Sequence, residues 1–249
     1  MTNFLSTVFF GVEPNGFVKG VQGALDAVGT KDGMFTGDNL FTFGRNLGFF
    51  EDEKFVKAWR GVVETPVDEA IVWRLHVVAW AAKSVLSRKI PGDFVECACY
   101  KGNTARIVSD YTDFAQQQDR TYYLYDLFEH DASMIHHAMP AHSSTLYDRV
   151  KQKFADMPNV KVTKGKVPDV LHEVGPQKVA FMHIDLNNAP AEIGALEVLF
   201  DRLSPGGILI LDDYGWLAYR AQKQAEDPWL AARGYHVLEL PTGQGLVFK

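Results

Sequence analysis

The stretch GDFVECACYKGNT, Gly92 to Thr104, decides how the rest of the chain reads. It is a short apolar strand that carries one acid, Glu96, runs into a single glycine, Gly102, and meets residues able to open a helix. Downstream the pattern alternates: TARIVSDYTDFAQQ as helix, TYYLYD as strand, STLYDRVKQKFADM as helix and NVKVTKG as strand. VPDVLHEV, KVAFMHIDLN, PAEIGALEVLFDRL and GGILILDDYG continue it as helix, strand, helix and strand. Such alternation predicts an α/β fold, a doubly wound Rossmann-like sheet of mostly parallel strands. After a helix around Leu217 to Ala232, YHVLELP and GLVFK flank the short turn TGQG, so a hairpin should bring the last strand in antiparallel.

Upstream, the pattern from about Val56 to Ser87 is helical, with Val72, Leu75, Val78 and Ala82 recurring around Trp73 and Trp80 until Pro91-Gly92 ends it. Residues 1–88 therefore read as a helical extension packed on a core domain of residues 89–249. The aromatic-rich FTFGRNLGFF suits either packing within that extension or a buried dimer surface, and a homo-oligomer is expected.

With 249 residues, 47% of them hydrophobic, the chain can bury a large core. A net charge of -6 offers no basic field for a phosphate backbone, which disfavours a nucleic-acid partner and favours a small molecule. The start MTNFLSTVFF lacks a positive n-region, and Arg74 and His76 interrupt the longest apolar run, so neither a leader nor a membrane span is expected and the protein reads as cytoplasmic. Cys97 and Cys99 share a strand face, poorly placed to bond each other, and read as small buried hydrophobes.

In open parallel sheets a ligand lies beyond the carboxyl ends of the strands, where strand order reverses. A dinucleotide would want G-x-G-x-x-G there, yet only Gly102 is present and Ala98 stands two after Glu96. A ligand with a ribose and no phosphate relaxes the need for glycines and keeps the need for acids, which Glu96 and Asp126 supply on successive strands. S-adenosylmethionine is such a ligand; helix capping is the plainer use of the same acids. Two further strands end in acids, Asp185 in HIDLNN and Asp212 and Asp213 in LILDDYG. One crossover joins these strands, so they should lie side by side and their carboxylates converge. Hard oxygen donors in that number suit Mg²⁺ or Ca²⁺.

Taken together, IPGDFVECACYKGNT, LYDLFE, VTKG, HIDLN, LSPGG and LDDYG resemble, in order from about Trp73 to Gly215, the metal-dependent macrocin and mycinamicin type sugar O-methyltransferases, which are class I S-adenosylmethionine methyltransferases. The resemblance implies that Glu96, Cys97, Ala98 and the Lys101-Gly102 turn, with Asn103 and Thr104, hold the methionine part of the cofactor. It implies that Asp126 binds the ribose, that Phe128 and the Gly165-Lys166-Val167 turn enclose the adenine, and that Leu127 and Asp185 also border the cofactor. It also implies that Asp185, Asp212 and Asp213 ligate Mg²⁺. The chain departs from the family at Ala98, where glycine is usual, at Tyr100 and Lys101 in place of Trp and Arg, and at Asn187 in place of an aspartate presumed to be the catalytic base. An amide takes no proton near neutral pH, so Asn187 would orient a hydroxyl or complete the metal shell, with His183 on the same strand face as a candidate base. The loop EHDASMIHHAMPAH, with His130, His136, His137 and His142, reads as a solvated lid, and PTGQG as a hairpin turn that would aim Gln244 at the active edge if it folds over it.

The expected activity is an S-adenosylmethionine-dependent, Mg²⁺-dependent O-methyltransfer to a hydroxyl of a small sugar- or diol-bearing acceptor. Rivals are a metal-independent methyltransferase of the same fold and a protein that binds the cofactor without turnover. Metal-dependent hydrolysis ranks last, because it leaves Glu96 and Asp126 without a role.

Overall fold

The computed structural model describes residues 2–30, 32–130, 134 and 138–249. Two compact units divide the chain, Met1–Val77 and Val78–Lys249. The first holds β1 (Phe4–Leu5), α1 (Pro14–Ala27), β2 (Phe35–Gly37), β3 (Leu40–Thr42), α2 (Glu53–Arg60) and α3 (Pro66–Ala70), and the chain leaves it within α4 (Val72–Ser87). The helical run read from the sequence is thus three helices. A capping box between Thr65 and Asp68, with Pro66 at the first helical position, starts α3.

The first unit also contains a small sheet in the order β1-β2-β3. Asp38 and Asn39, at φ 50° and 57°, form the two-residue turn between β2 and β3; both tolerate the left-handed region such hairpins need. The Arg74 guanidinium grips the Asp38 carboxylate through Nε at 3.0 Å and Nη2 at 2.6 Å, fixing that turn to the first part of α4. Within this unit the aromatic stretch divides: Phe50 packs with Phe4 and Trp59, whereas Phe41 and Phe43 remain on the surface.

The second unit holds β4 (Asp93–Cys97), α5 (Asn103–Thr112), β5 (Tyr122–Asp126), α6 (Leu146–Lys153), β6 (Val160–Lys164) and α7 (Asp169–Val174). It continues with β7 (Val179–Ile184), α8 (Ala189–Leu199), β8 (Leu203–Leu211), α9 (Arg220–Ala231), β9 (Leu238–Glu239) and β10 (Gly245–Phe248). Among the described residues these strands form a seven-stranded sheet in the order β6-β5-β4-β7-β8-β10-β9. The first five pair in parallel, and β10 runs antiparallel to both β8 and β9. This is the Rossmann-like sheet with a closing hairpin that the alternation implied.

Every residue of β7 is buried, as a strand covered on both faces requires. Strand order reverses between β4 and β7, so the crevice beyond their carboxyl ends is where a ligand belongs. No helix among the described residues is long and apolar enough to cross a membrane.

The Asp38–Arg74 pair sets a test of the first unit. Arg74→Met leaves a buried carboxylate without its partner and is expected to cost about 3–5 kcal/mol in denaturant unfolding, whereas the double change with Asp38→Asn costs less. A double variant as unstable as the single one would show that the charge pairing is not what holds the turn.

Candidate functional site

The loop after β4 turns on backbone hydrogen bonds. The amides of Ala98 and Cys99 both donate to the Tyr125 carbonyl, at 2.8 and 3.1 Å, folding the loop across the end of β5. To make that turn Ala98 and Tyr100 adopt φ 67° and 47°, a left-handed conformation that side chains with a Cβ resist. Asp126 braces the arrangement: its Oδ2 accepts from the Tyr100 amide at 2.7 Å and its Oδ1 from the Phe128 amide at 2.5 Å. One carboxylate therefore organises the loops after β4 and β5.

Gly102, at φ 68°, sits where an added Cβ would come within 2.9 Å of Phe154 and 3.2 Å of Val150. The glycine is demanded by packing beside α6. Phe128 is fully buried and lies against Tyr147, with ring centroids 5.2 Å apart. Gly165 donates its amide to the Asp126 carbonyl, Val167 is buried and Lys166 is exposed. Asn103 accepts from Lys153, and Lys101, Thr104 and Leu127 are half-buried. Cys97 is fully buried in the sheet, and burial is the main cause that drives its thiol far above the ordinary range. Neither Cys97 nor Cys99 forms a disulfide.

A second group of side chains crosses the sheet beneath this loop. Glu96 on β4 lies opposite His183 on β7, and both are 2% exposed. Glu96 accepts from the Tyr122 hydroxyl at 3.2 Å, and its other oxygen lies 3.5 Å from His183 Nδ1. His183 Nε2 in turn lies 3.3 Å from Asp212 Oδ1. Burial alone would lower the His183 pKa; hydrogen bonding to Asp212, then to Glu96, outweighs it and holds the imidazole up at about 10. The TGQG turn does fold over this edge: Gln244 is buried and donates from Nε2 to Asp212 Oδ1 at 2.8 Å, while Thr242 donates to its Oε1 at 2.9 Å.

Asp185, Asp212 and Asp213 each bring a carboxylate oxygen to within 4.8 Å of the others. Asn187 stands beside them at φ 53°, its amide nitrogen donating to Asp185 Oδ1 at 3.4 Å and its Oδ1 buried without a hydrogen-bond partner. Three carboxylates and an orphaned amide oxygen make a donor set that fits a hard divalent cation.

Behind the cluster lies a group that pattern reading missed. Glu192 on α8 and Gln222 and Glu226 on α9 are all buried, and Glu192 Oε1 accepts from the Leu186 amide at 3.2 Å and from Gln222 Nε2 at 2.7 Å. The available signal was a set of polar residues on helix faces otherwise given to the core. Of the histidine-rich loop, His136 and His137 lie outside the described residues. His142 sets its ring edge against Tyr100 at 5.3 Å, and the Ala141 amide donates to the Tyr100 hydroxyl at 2.6 Å.

The sequence model of the family described as Macrocin-O-methyltransferase (TylF) matches residues 72–235. A curated relative from Streptomyces olivaceus, 8-demethyl-8-(2,3-dimethoxy-alpha-L-rhamnosyl)-tetracenomycin-C 4'-O-methyltransferase, is 25% identical over 171 residues, 63% of this chain. The chain spans about 64% of that relative's length. Among solved structures, the O-methyltransferase NovP superposes with a TM-score of 0.61 at 20% identity, over 72% of this chain and 80% of its own. CalS11, a TDP-rhamnose 3'-O-methyltransferase of calicheamicin biosynthesis, gives 0.55 at 15% identity, over 79% and 85%. At these identities the solved structures establish the fold.

The strained loop yields a prediction. Ala98→Gly is expected to raise stability by about 1 kcal/mol, the left-handed cost of a Cβ less the chain entropy that glycine adds. The readout is a higher urea midpoint with an unchanged slope; a lower midpoint would mean that the Ala98 methyl makes contacts worth more than its strain.

Proposed function

Because the chain belongs to the macrocin O-methyltransferase family, we propose that it transfers the methyl group of S-adenosylmethionine to a hydroxyl of a small sugar- or diol-bearing acceptor, with Mg²⁺ held by Asp185, Asp212 and Asp213. The observation that carries this reading is the convergence of those three carboxylates at the sheet edge where Asp126 braces the cofactor-side loops. When bound, a divalent cation supplies Lewis acidity that makes a hydroxyl more acidic and can hold a vicinal diol.

The chain's own residues supply the rest. Asp126, already oriented by two backbone amides, accepts from ribose hydroxyls. The loop from Ala98 to Gly102 and the start of α5 face the amino-acid end of the cofactor, and Phe128 and Gly165 to Val167 border the adenine. In the transfer the sulfonium carbon–sulfur bond breaks as the oxygen–carbon bond forms, the electron pair stays on sulfur, and the hydroxyl's proton passes to solvent water. Asn187 cannot take that proton; it orients the hydroxyl or completes the shell of the cation. His183 has both ring nitrogens turned to carboxylates and is 2% exposed, so its part is to position Asp212 rather than to touch an acceptor.

The alternative, cofactor binding without turnover, draws on Ala98, whose methyl occupies space where the family has glycine.

The test is calorimetric titration with S-adenosylhomocysteine, with Mg²⁺ and with a chelator. Binding is expected in both, lost in Asp126→Ala; no binding in either would sink the methyltransferase reading. Gln244→Leu removes one of the donors that aim Asp212, and is expected to weaken Mg²⁺ binding by about tenfold or more while S-adenosylhomocysteine binding stays put. Unchanged Mg²⁺ affinity would detach the hairpin from the cation site.

A further inference from the structure

Glu226 is fully buried on α9, and among the described residues neither of its carboxylate oxygens meets an N–H or O–H donor. The group facing it at hydrogen-bonding range is a second buried carboxyl, Glu192 of α8. Two ionised carboxylates facing each other there would repel, on top of the cost of stripping each of water. No ion pair relieves them among the described residues. Lys223, one turn before Glu226, directs its Nζ to the Tyr214 hydroxyl and to Glu239, each at 2.8 Å.

We infer that Glu192 and Glu226 share one proton in a buried O–H···O bond, and that this acid pair is a positioning element for the turn carrying Asp185 and Asn187. A shared proton completes the hydrogen-bond inventory of the pair. Glu192 Oε1 is occupied as an acceptor by the Leu186 amide and the Gln222 amide. A proton on the remaining Glu192 oxygen gives Glu226 the donor it otherwise lacks and lets the neutral carboxyl keep both of its accepted bonds. Burial first, then the Glu226 carboxyl, then Asp185 and Asp213 at the front of the cluster, raise Glu192 well above the carboxylate range. Burial also raises Glu226, with Asp227 adding to the rise and Glu192 and Lys223 opposing it.

The positional consequence follows from Leu186, whose amide lies between Asp185 and Asn187 and points back at Glu192. With Asp185 tied to the sheet through its own amide, at 3.1 Å from the Cys97 carbonyl, the Glu192 bond is the second anchor of the turn. With the proton on Glu192 the carboxyl that holds the turn is neutral, and the pair's one remaining charge sits on Glu226 of α9. The inference rests on the proposed function only for what the turn serves.

Infrared spectroscopy of the full chain in D₂O should show the carbonyl band of a protonated, water-shielded carboxylic acid at neutral pD. That band should vanish in both Glu226→Gln and Glu192→Gln, each of which replaces the shared proton by an amide donor and keeps the fold. Its absence from the wild type, or its persistence in both variants, overturns the shared proton. Hydrogen exchange of the Leu186 amide tests the anchor: it should be at least about tenfold faster in Glu192→Ala than in wild type and close to wild type in Glu192→Gln. Equal protection in all three overturns the positioning role; if Glu192→Ala does not fold, Glu192→Asp, which withdraws the carboxyl by one methylene, takes its place, and wild-type protection of the Leu186 amide in it overturns the role as well. Mg²⁺ titration of the same proteins separates this inference from the parent reading. A wild type that shows the band and the protected amide yet takes up no Mg²⁺ retires the metal assignment and keeps the acid pair.

Discussion

The structure of the second unit turns on how it tolerates carboxylates packed at one sheet edge. His183 is the group set among them. From the buried middle strand β7 its ring reaches Glu96 on one neighbouring strand and Asp212 beyond the other, and their negative charge holds its proton against the pull of burial. Asp212 gains a further donor from Gln244, Glu96 gains one from Tyr122, and Asp126 takes two from the backbone. Each acid is thereby aimed by something other than a ligand, which is how a site keeps its geometry before its ligands arrive.

The same edge concentrates backbone strain. Ala98, Tyr100, Phe128 and Asn187 all take positive φ, and all follow strand ends. Left-handed backbone at alanine, tyrosine and phenylalanine costs stability that the surrounding bonds must offset, and such positions gather where loops have to approach a ligand closely. The amides held by Asp126 belong to two of these residues, Tyr100 and Phe128. One buried carboxylate thus fixes conformations that the side chains resist.

Much of this was legible in the sequence. Alternation of strand and helix fixed the layer architecture, TGQG marked the antiparallel hairpin, and acids ending successive strands placed Asp185, Asp212 and Asp213 together. The small sheet of the first unit was not legible, because strands of two or three residues leave no period to detect, and Asp38-Asn39 signals its turn only once the flanking segments are known to be extended. Nor was the Glu192–Glu226 pair: its members lie on different helices, and only helix packing reveals that two acids and a glutamine face inward together. Gly102 carries a similar lesson. The resemblance places it in the turn that holds the methionine part of the cofactor, while its φ of 68° and the neighbouring Val150 and Phe154 side chains already disfavour a Cβ there.

The hairpin's hold on Asp212 has a consequence for biosynthesis. Asp185, Asp212 and Asp213 are all in the polypeptide before Gln244 is added, and at about 5–20 residues per second the ribosome needs roughly 2–6 seconds to cover the interval between Asp213 and Gln244. Until β10 pairs, β8 has an open edge and Asp212 lacks one of the donors that aim it. The step that closes the sheet is thus also the step that adds a donor to the carboxylate cluster.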